Sequence, residues 1–421
     1  METFLNIFRS KDLRTKILIV VGYLLIFRFL SAIPLPSVNQ EQLALFFAQN
    51  QYLGLVNILS GGALSNFSIV MLGVGPYITS TIILQLLTMV FPSLKAIYYE
   101  GGETGRAKFN QYARYLTVVI GFVQGFGFLN YLKAQGVITQ LSGLDLITNV
   151  VVITAGSVFL MWLGELITEQ KIGNGTSLII FVGILAGIPN SIRNNILLFT
   201  PTQIYSYLIF LVIAIITILG VIYINEADRK IPVNYAKRVR GMKVYGGVPT
   251  YLPLKINQAG VIPIIFAISI LLLPSMLGQI LALFHNQALL NIATSLQQFL
   301  NNQLAYGISY FVLVFAFTYF YTALTFEPNE ISKNLQKQGG FIAGIRPGDQ
   351  TAHYLSNILN RITLFGALFL GIIAILPLIV QAITRISTIS LGGTSLLIVV
   401  SVGLETIKAI KSQLIMREYE I

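Results

Sequence analysis

The chain has 421 residues, of which 55% are hydrophobic and only 10% charged, and its mean hydropathy is +0.76. Soluble proteins carry about 25% charged residues, so this composition excludes a soluble globular protein and describes a polytopic membrane protein. The net charge of +11 must be carried by some face of the molecule, and the absence of cysteine excludes disulfides and thiolate metal sites.

Residues 1–16, METFLNIFRSKDLRTK, are polar and basic and have no small-residue cleavage site. They read as a tail, with the first apolar run kept as a span. About 20 mostly apolar residues cross the hydrocarbon core, and ten stretches qualify. They lie near 17–36, 72–91, 112–132, 147–168, 176–197, 203–225, 257–284, 304–326, 355–378 and 391–412. The second is led in by ILSGGALSNFSIVMLGVGPYITSTIILQLL, residues 58–87, which is punctuated by Gly61, Gly62, Gly73, Gly75 and Pro76. Backbone without hydrogen bonds is tolerated in a membrane only where protein or a wet cavity surrounds it. The breakers therefore predict a segment facing a cavity; the plainer reading is a Gly-kinked span. Gly183, Gly187 and Pro189 interrupt the fifth stretch. Arg28, Glu165 and Glu405 fall inside spans, where a charge costs about 2.5–3.5 kcal/mol at mid-bilayer.

Two connections carry further signals. The one after the sixth span holds Arg229, Lys230, Lys237, Arg238, Arg240, Lys243 and Lys255, with Tyr235, Tyr245 and Tyr251 interleaved. Its β-prone residues around a Gly-containing turn predict a hairpin, and its cations and rings suit phosphate contacts and stacking on RNA. A solvated loop whose charge only fixes topology explains the same composition. The connection after the eighth span contains EISKNLQK, a short amphipathic helix pattern stopped by Gly339–Gly340, then GIRPGDQT, which sets Arg346 on a turn fixed by Pro347 and Gly348. With the N-terminus in the cytoplasm, one side of the membrane holds 22 of the 27 basic residues. The positive-inside rule then places both termini in the cytoplasm.

Catalysis is not expected. No G-x-x-x-x-G-K-[ST] loop or H-E-x-x-H occurs, His285 and His353 are the only histidines, and Glu165 and Glu405 are far apart in sequence. No metal or other cofactor is called for. A secondary transporter for small solutes also uses broken helices, but Leu72, Val74 and Tyr77 beside the break are poor ligands for a solute.

Several long stretches resemble the SecY family, channel subunits of the Sec translocon. They are SGGALSNFSIVMLGVGPYITSTIILQLL, FLMWLGELITEQKIGNGTSLIIF, VNYAKR, LPLKINQAGVIPIIFA, FYTALTFEPNEISKNLQKQGGFIAGIRPGDQTA and LGGTSLLIVVSVGLE, in order from about Lys11 to the C-terminus. The resemblance implies an all-α fold of ten transmembrane helices in two five-helix halves around a central pore. Its parts would be a tail at 1–16, an N-terminal half at 17–200, a C-terminal half at 201–412 with loops 226–256 and 327–353, and a tail at 413–421. A plug half-helix is implied at about 57–70, including Ser60, Gly61, Gly62, Ala63, Leu64, Ser65, Asn66 and Phe67. The family's pore ring falls on Val74, Ile78, Thr176, Ile180, Ile265 and Ile398, where Thr176 departs from an apolar pattern. A lateral gate between the second and seventh spans would involve Thr79, Thr81, Gln85, Asn257, Gln258 and Leu273, with Thr79 opposite Leu273 and hydrogen bonds across the seam. Arg229, Lys230, Lys237, Arg238, Arg240, Lys243 and Arg346 would meet a ribosome or the SecA ATPase. The other partners implied are SecE, SecG, preproteins and membrane lipid. The function implied is passage of unfolded polypeptides across the bacterial plasma membrane and sideways release of hydrophobic segments; a plastid thylakoid membrane is the alternative compartment.

Overall fold

The structure, a computed structural model, describes residues 11–35, 57, 60–64, 66–134, 136, 138, 142–197, 204–235, 238–240, 243–245, 250–282, 287–384 and 393–418. Helix α1 spans Lys11–Ser31. It starts earlier and ends earlier than the expected 17–36. Ser31 Oγ donates to the Arg28 carbonyl at 2.8 Å, and the next residues leave the helix for an antiparallel bridge of Pro34 with Ser68. Leu35 N–H donates to Phe67 O at 2.9 Å and Ile69 N–H to Ile33 O at 3.1 Å. Those two bonds supply partners that a helix continuing into Pro34 would have lost.

Helix α2, Gly75–Val90, carries Pro76 in its first turn, where a missing N–H costs nothing. It ends because Pro92 forces Phe91 out of the helical region, to φ −107° and ψ 108°, and the chain bends by 117° into α3, Pro92–Tyr99. The remaining helices are α4 (Gly102–Ala134), α5 (Gly143–Glu169), α6 (Gly175–Leu197), α7 (Ile204–Glu226), α8 (Ile262–Ala282), α9 (Gln287–Asn301), α10 (Gln303–Thr325), α11 (Pro328–Lys337), α12 (Asp349–Thr384) and α13 (Gly393–Glu418). Helix α9 was not anticipated from the sequence. Asn302 separates it from α10, and its side chain accepts the N–H groups of Leu304 and Ala305 as an N-cap.

Among the described residues five helices are long and apolar enough to cross a membrane unaided, in α4, α5, α7, α10 and α12, or six if bent α2–α3 is counted as one span. The apolar parts of α6 and α8 are shorter, Gly175–Pro189 and Ile262–Leu271. In α1, Lys11, Asp12, Arg14, Lys16 and Arg28 crowd the apolar run. Side-by-side packing sorts the long helices into two groups. One holds α1, α2, α4, α5 and α6, the other α7, α8, α10, α12 and α13. The groups meet along α8 against α2 and α4, and again where α6 lies on α13.

The connection after α7 folds as predicted into β structure. Strand β1 (Asp228–Tyr235) pairs antiparallel with β4 (Thr250–Lys255), and β2 (Arg238–Arg240) with β3 (Lys243–Tyr245). A short β5, Gly340–Phe341, adds to the other edge of β1 and ties the two connections into one sheet of order β4-β1-β5. Ile231, Val233, Leu254, Ile342 and Leu355 form a separate apolar core beneath this sheet.

Candidate functional site

The site is built around the residues between α1 and α2. Residues 60–64 and 66–74 form consecutive turns, not the half-helix expected at 57–70. The reason is local: Gly61, Gly62, Phe67 and Gly73 all have positive φ (64°, 80°, 45° and 57°), which interrupts any right-handed helix. The turns are closed by side chains. Ser60 Oγ accepts from Leu64 N–H at 3.0 Å, and Ser68 Oγ donates to Ala63 O at 3.1 Å. Asn66 Nδ2 donates to Ser31 O at 3.4 Å, and Arg28 donates to Gly61 O at 3.3 Å. Ser65 lies outside the described residues. Leu64, Phe67 and Met71 are buried against Leu129, Leu132, Val150 and Ile153, while Ala63 and Val70 face the centre of the molecule.

Five of the six ring residues named from sequence fall in the largest buried apolar cluster among the described residues. Val74, Ile78, Ile180, Ile265 and Ile398 come from α2, α6, α8, α13 and the turn before α2, and all lie in one buried apolar cluster with Ala63 and Val70. Thr176 lines the same cavity as Ile78, Ile180 and Ile265. Its hydroxyl donates to Asn174 Oδ1 at 2.5 Å, and its methyl points toward Gly164 of α5. A cavity of about 460 Å³ opens on one side of the cluster. Ile78, Thr176, Ile180 and Ile265 line its apolar part, and Gln85, Asn110, Arg114, Glu165, Glu169 and Asn174 are among its polar walls. The cavity wall thus joins polar and charged side chains to the aliphatic Ile78, Ile180 and Ile265.

The charged residues expected inside spans find particular partners. Arg114 on α4 grips Glu165 on α5 through both carboxylate oxygens, Nε to Oε1 and Nη2 to Oε2, each at 2.9 Å. That fork geometry fixes both helices on the cavity wall. Glu405 lies beside Gly260 at the entry to α8, while Lys408 pairs with Glu226 at 2.7 Å. Sequence reasoning had singled out Glu165 but not Arg114, which sits 51 residues away in the chain.

The seam between α2 and α8 differs from expectation. Thr79 and Thr81 donate within their own helix, to Gly75 O and Ile78 O. Asn257 Nδ2 donates to Asn225 Oδ1 at 2.9 Å, and Asn225 Nδ2 donates to Ser401 Oγ at 2.7 Å. Asn257 therefore ties the entry of α8 to α7 and α13 of its own group, not to α2. The reason is position: it precedes the first residue of α8 by five. What faces α8 from α2 is apolar, with Ile78 and Ile82 in one cluster with Ile264, Ile265 and Ile268. Gln85 Oε1 is buried beside the cavity without a hydrogen-bond partner. Leu273 falls in α8, and its side chain is outside the described residues.

Of the seven cations named for partner contact, Arg229 and Lys230 are exposed on β1. Arg238 and Arg240 are on β2 and Lys243 is on β3; these three side chains, and Lys237 altogether, lie outside the described residues. Arg346 is exposed before the Pro347–Gly348 turn. That turn is held by Thr351 Oγ1 donating to Arg346 O at 2.9 Å and Ser332 Oγ donating to Gly348 O at 2.6 Å. Arg346 follows β5 by five residues, and β5 pairs with Asn234 and Tyr235 at the end of β1 away from Arg229 and Lys230.

A family model described as SecY matches residues 68–407. The chain is 42% identical to the protein translocase subunit SecY of Thermotoga maritima, over 100% of this chain and 97% of that protein. Its fold is similar to a structure described by the plug domain of the SecY protein, which stabilises the closed state of that channel and maintains a membrane seal. The TM-score is 0.62 at 19% identity, covering 93% of this chain and 91% of the other. It is similar as well to Sec61 in the canine ribosome-channel complex, with a TM-score of 0.61 at 19% identity, covering 93% and 90%.

Proposed function

The chain belongs to the SecY family, a family of multi-pass membrane proteins, and on that premise we propose that it is the central channel-forming subunit of a Sec protein translocase. Unfolded polypeptide passes through the aliphatic neck, and apolar segments leave sideways between α2 and α8. The observation that carries this reading is the meeting of Val74, Ile78, Ile180, Ile265 and Ile398 with Ala63 and Val70 at the end of a polar cavity. Aliphatic side chains change rotamer cheaply, so such a neck can yield to chains of varied width and still dewet when empty. The turns at 60–73 act as the plug, and their many short hydrogen bonds make them a unit that can leave and return.

Ten helices, α1, α2, α4–α8, α10, α12 and α13, are proposed as the spans, with both termini and the β4-β1-β5 sheet in the cytoplasm of a bacterium and the inner membrane as host. The boundaries of the two halves near residue 200 follow the packing groups. The gate rests on apolar contact between α2 and α8, with Thr79 and Leu273 on the facing helices. Arg346, Arg229 and Lys230 form the docking platform for a ribosome or SecA, supported by their exposure, on β1 and on the turn after β5, and by a structural neighbour seen in a ribosome complex. SecE and SecG complete the assembly, preproteins are the substrate, and the energy comes from the partners, since the chain itself is a conduit and not an enzyme.

The test is Arg346→Glu in reconstituted vesicles. Export should fall while the resting seal is unaffected; undiminished export would remove Arg346 from the platform. Ile265→Lys in the neck should make resting vesicles leak, and an intact seal would count against the pore itself.

A further inference from the structure

The plug is pressed against two helices at places where neither carries a side chain. On α6, a carbon added to Gly183 would stand 2.0 Å from Gly61 Cα and 2.3 Å from the Gly61 carbonyl carbon. On α5, a carbon added to Gly156 would stand 2.3 Å from Ile69 O. Both obstructions are backbone atoms, which cannot swing aside as the end of a flexible side chain can. On α1, Gly22 has nothing within 4 Å of the same added carbon among the described residues. Between the two contacts lie Ala63, Leu64 and Phe67, and Val70 follows the second, all buried. The other side of the segment is pinned by the Pro34–Ser68 bridge and by Arg28 on Gly61 O.

We propose that Gly183 and Gly156 are positioning residues for the plug: α6 and α5 are bare at these points so that residues 61–70 can seat backbone against helix. This rests on the reading of that segment as the plug. Alanine is normally the better residue in a helix, so replacing these glycines should favour the helices while evicting what lies on them. Overpacking a rigid contact moves such an equilibrium substantially.

The chain has no cysteine, which makes the test clean. Ala63→Cys, at a position 0% exposed, is placed in the full chain, purified with the subunits that accompany it and reconstituted in vesicles. Its labelling rate with N-ethylmaleimide is then measured alone and with each glycine variant. Gly183→Ala and Gly156→Ala should each raise the rate about tenfold, equivalent to about 1.4 kcal/mol, while Gly22→Ala leaves it unchanged. Parent-like labelling in the Gly183 and Gly156 variants would overturn the proposal. So would equal acceleration by Gly22→Ala, or failure of both seat variants to accumulate, since the methyl would then be disrupting the helices themselves. Resting ion conductance is recorded on the same vesicles and judges the other reading: faster labelling with an intact seal upholds the seat and removes the sealing role of the segment.

Discussion

Truncating Ile180 offers the most direct measure of what the neck contributes. This side chain is 0% exposed and meets the plug and the facing helices in one apolar cluster. Ile→Ala in a packed core costs about 2–5 kcal/mol. In a threaded or open channel the same side chain lines the passage and has already lost its plug contacts, so most of the cost falls on the resting form. Taking the low end, about 2 kcal/mol, the ratio of open to closed forms rises about 30-fold. Ion efflux from proteoliposomes at rest should increase on that order, with little change in the amount of protein reconstituted. Leu355→Ala removes a comparable buried side chain from the core under the β4-β1-β5 sheet, so it should lower thermal stability and leave efflux alone. If Ile180→Ala vesicles were as tight as the parent, the cluster would be ordinary packing and the neck would lie elsewhere. Equal leakage from Leu355→Ala would mean that general loosening, and not loss of the neck, opens the path.

Thr176→Val extends the aliphatic ring at the one position where the structure turns a hydroxyl to Asn174; resting efflux should fall below the parent value by electrophysiology. Gln85→Leu removes a buried acceptor without a partner, a group whose desolvation costs about 1–3 kcal/mol. Thermal denaturation in detergent should therefore show a more stable resting protein, and export of substrates with weakly hydrophobic signals should slow. Glu165→Gln breaks the fork with Arg114, whose side chain is 51% exposed against 19% for Glu165. Solvent screens such a pair, so the loss should be no more than about 1 kcal/mol. Exchanging the two residues should recover most of it in a double-mutant cycle.

Hydropathy made the helices legible because each span must satisfy its own backbone in lipid, and the apolar runs lie close to the helices that form. Boundaries were lost where other forces acted. Helix α1 stops at Ser31 because Pro34 is taken by the bridge to Ser68, a partner 34 residues on that no local pattern announces. Periodicity also missed α9, which is amphipathic and too polar to be noticed among spans. The ring was visible only through family resemblance, since an isoleucine in a membrane helix carries no mark of facing a pore. Asn257 shows the limit of that route. Resemblance put it in the gate, but its amide donates to Asn225 and to Gly260 O, and the α2 and α8 side chains that share a buried cluster are apolar. The physical consequence reaches the mechanism. Membrane hydrogen bonds between helices average only about 0.6 kcal/mol and would have to be broken one by one. Apolar side chains meet lipid tails and a substrate helix on nearly equal terms, so a seam built from Ile78, Ile82 and Ile265 can part by exchanging one greasy neighbour for another.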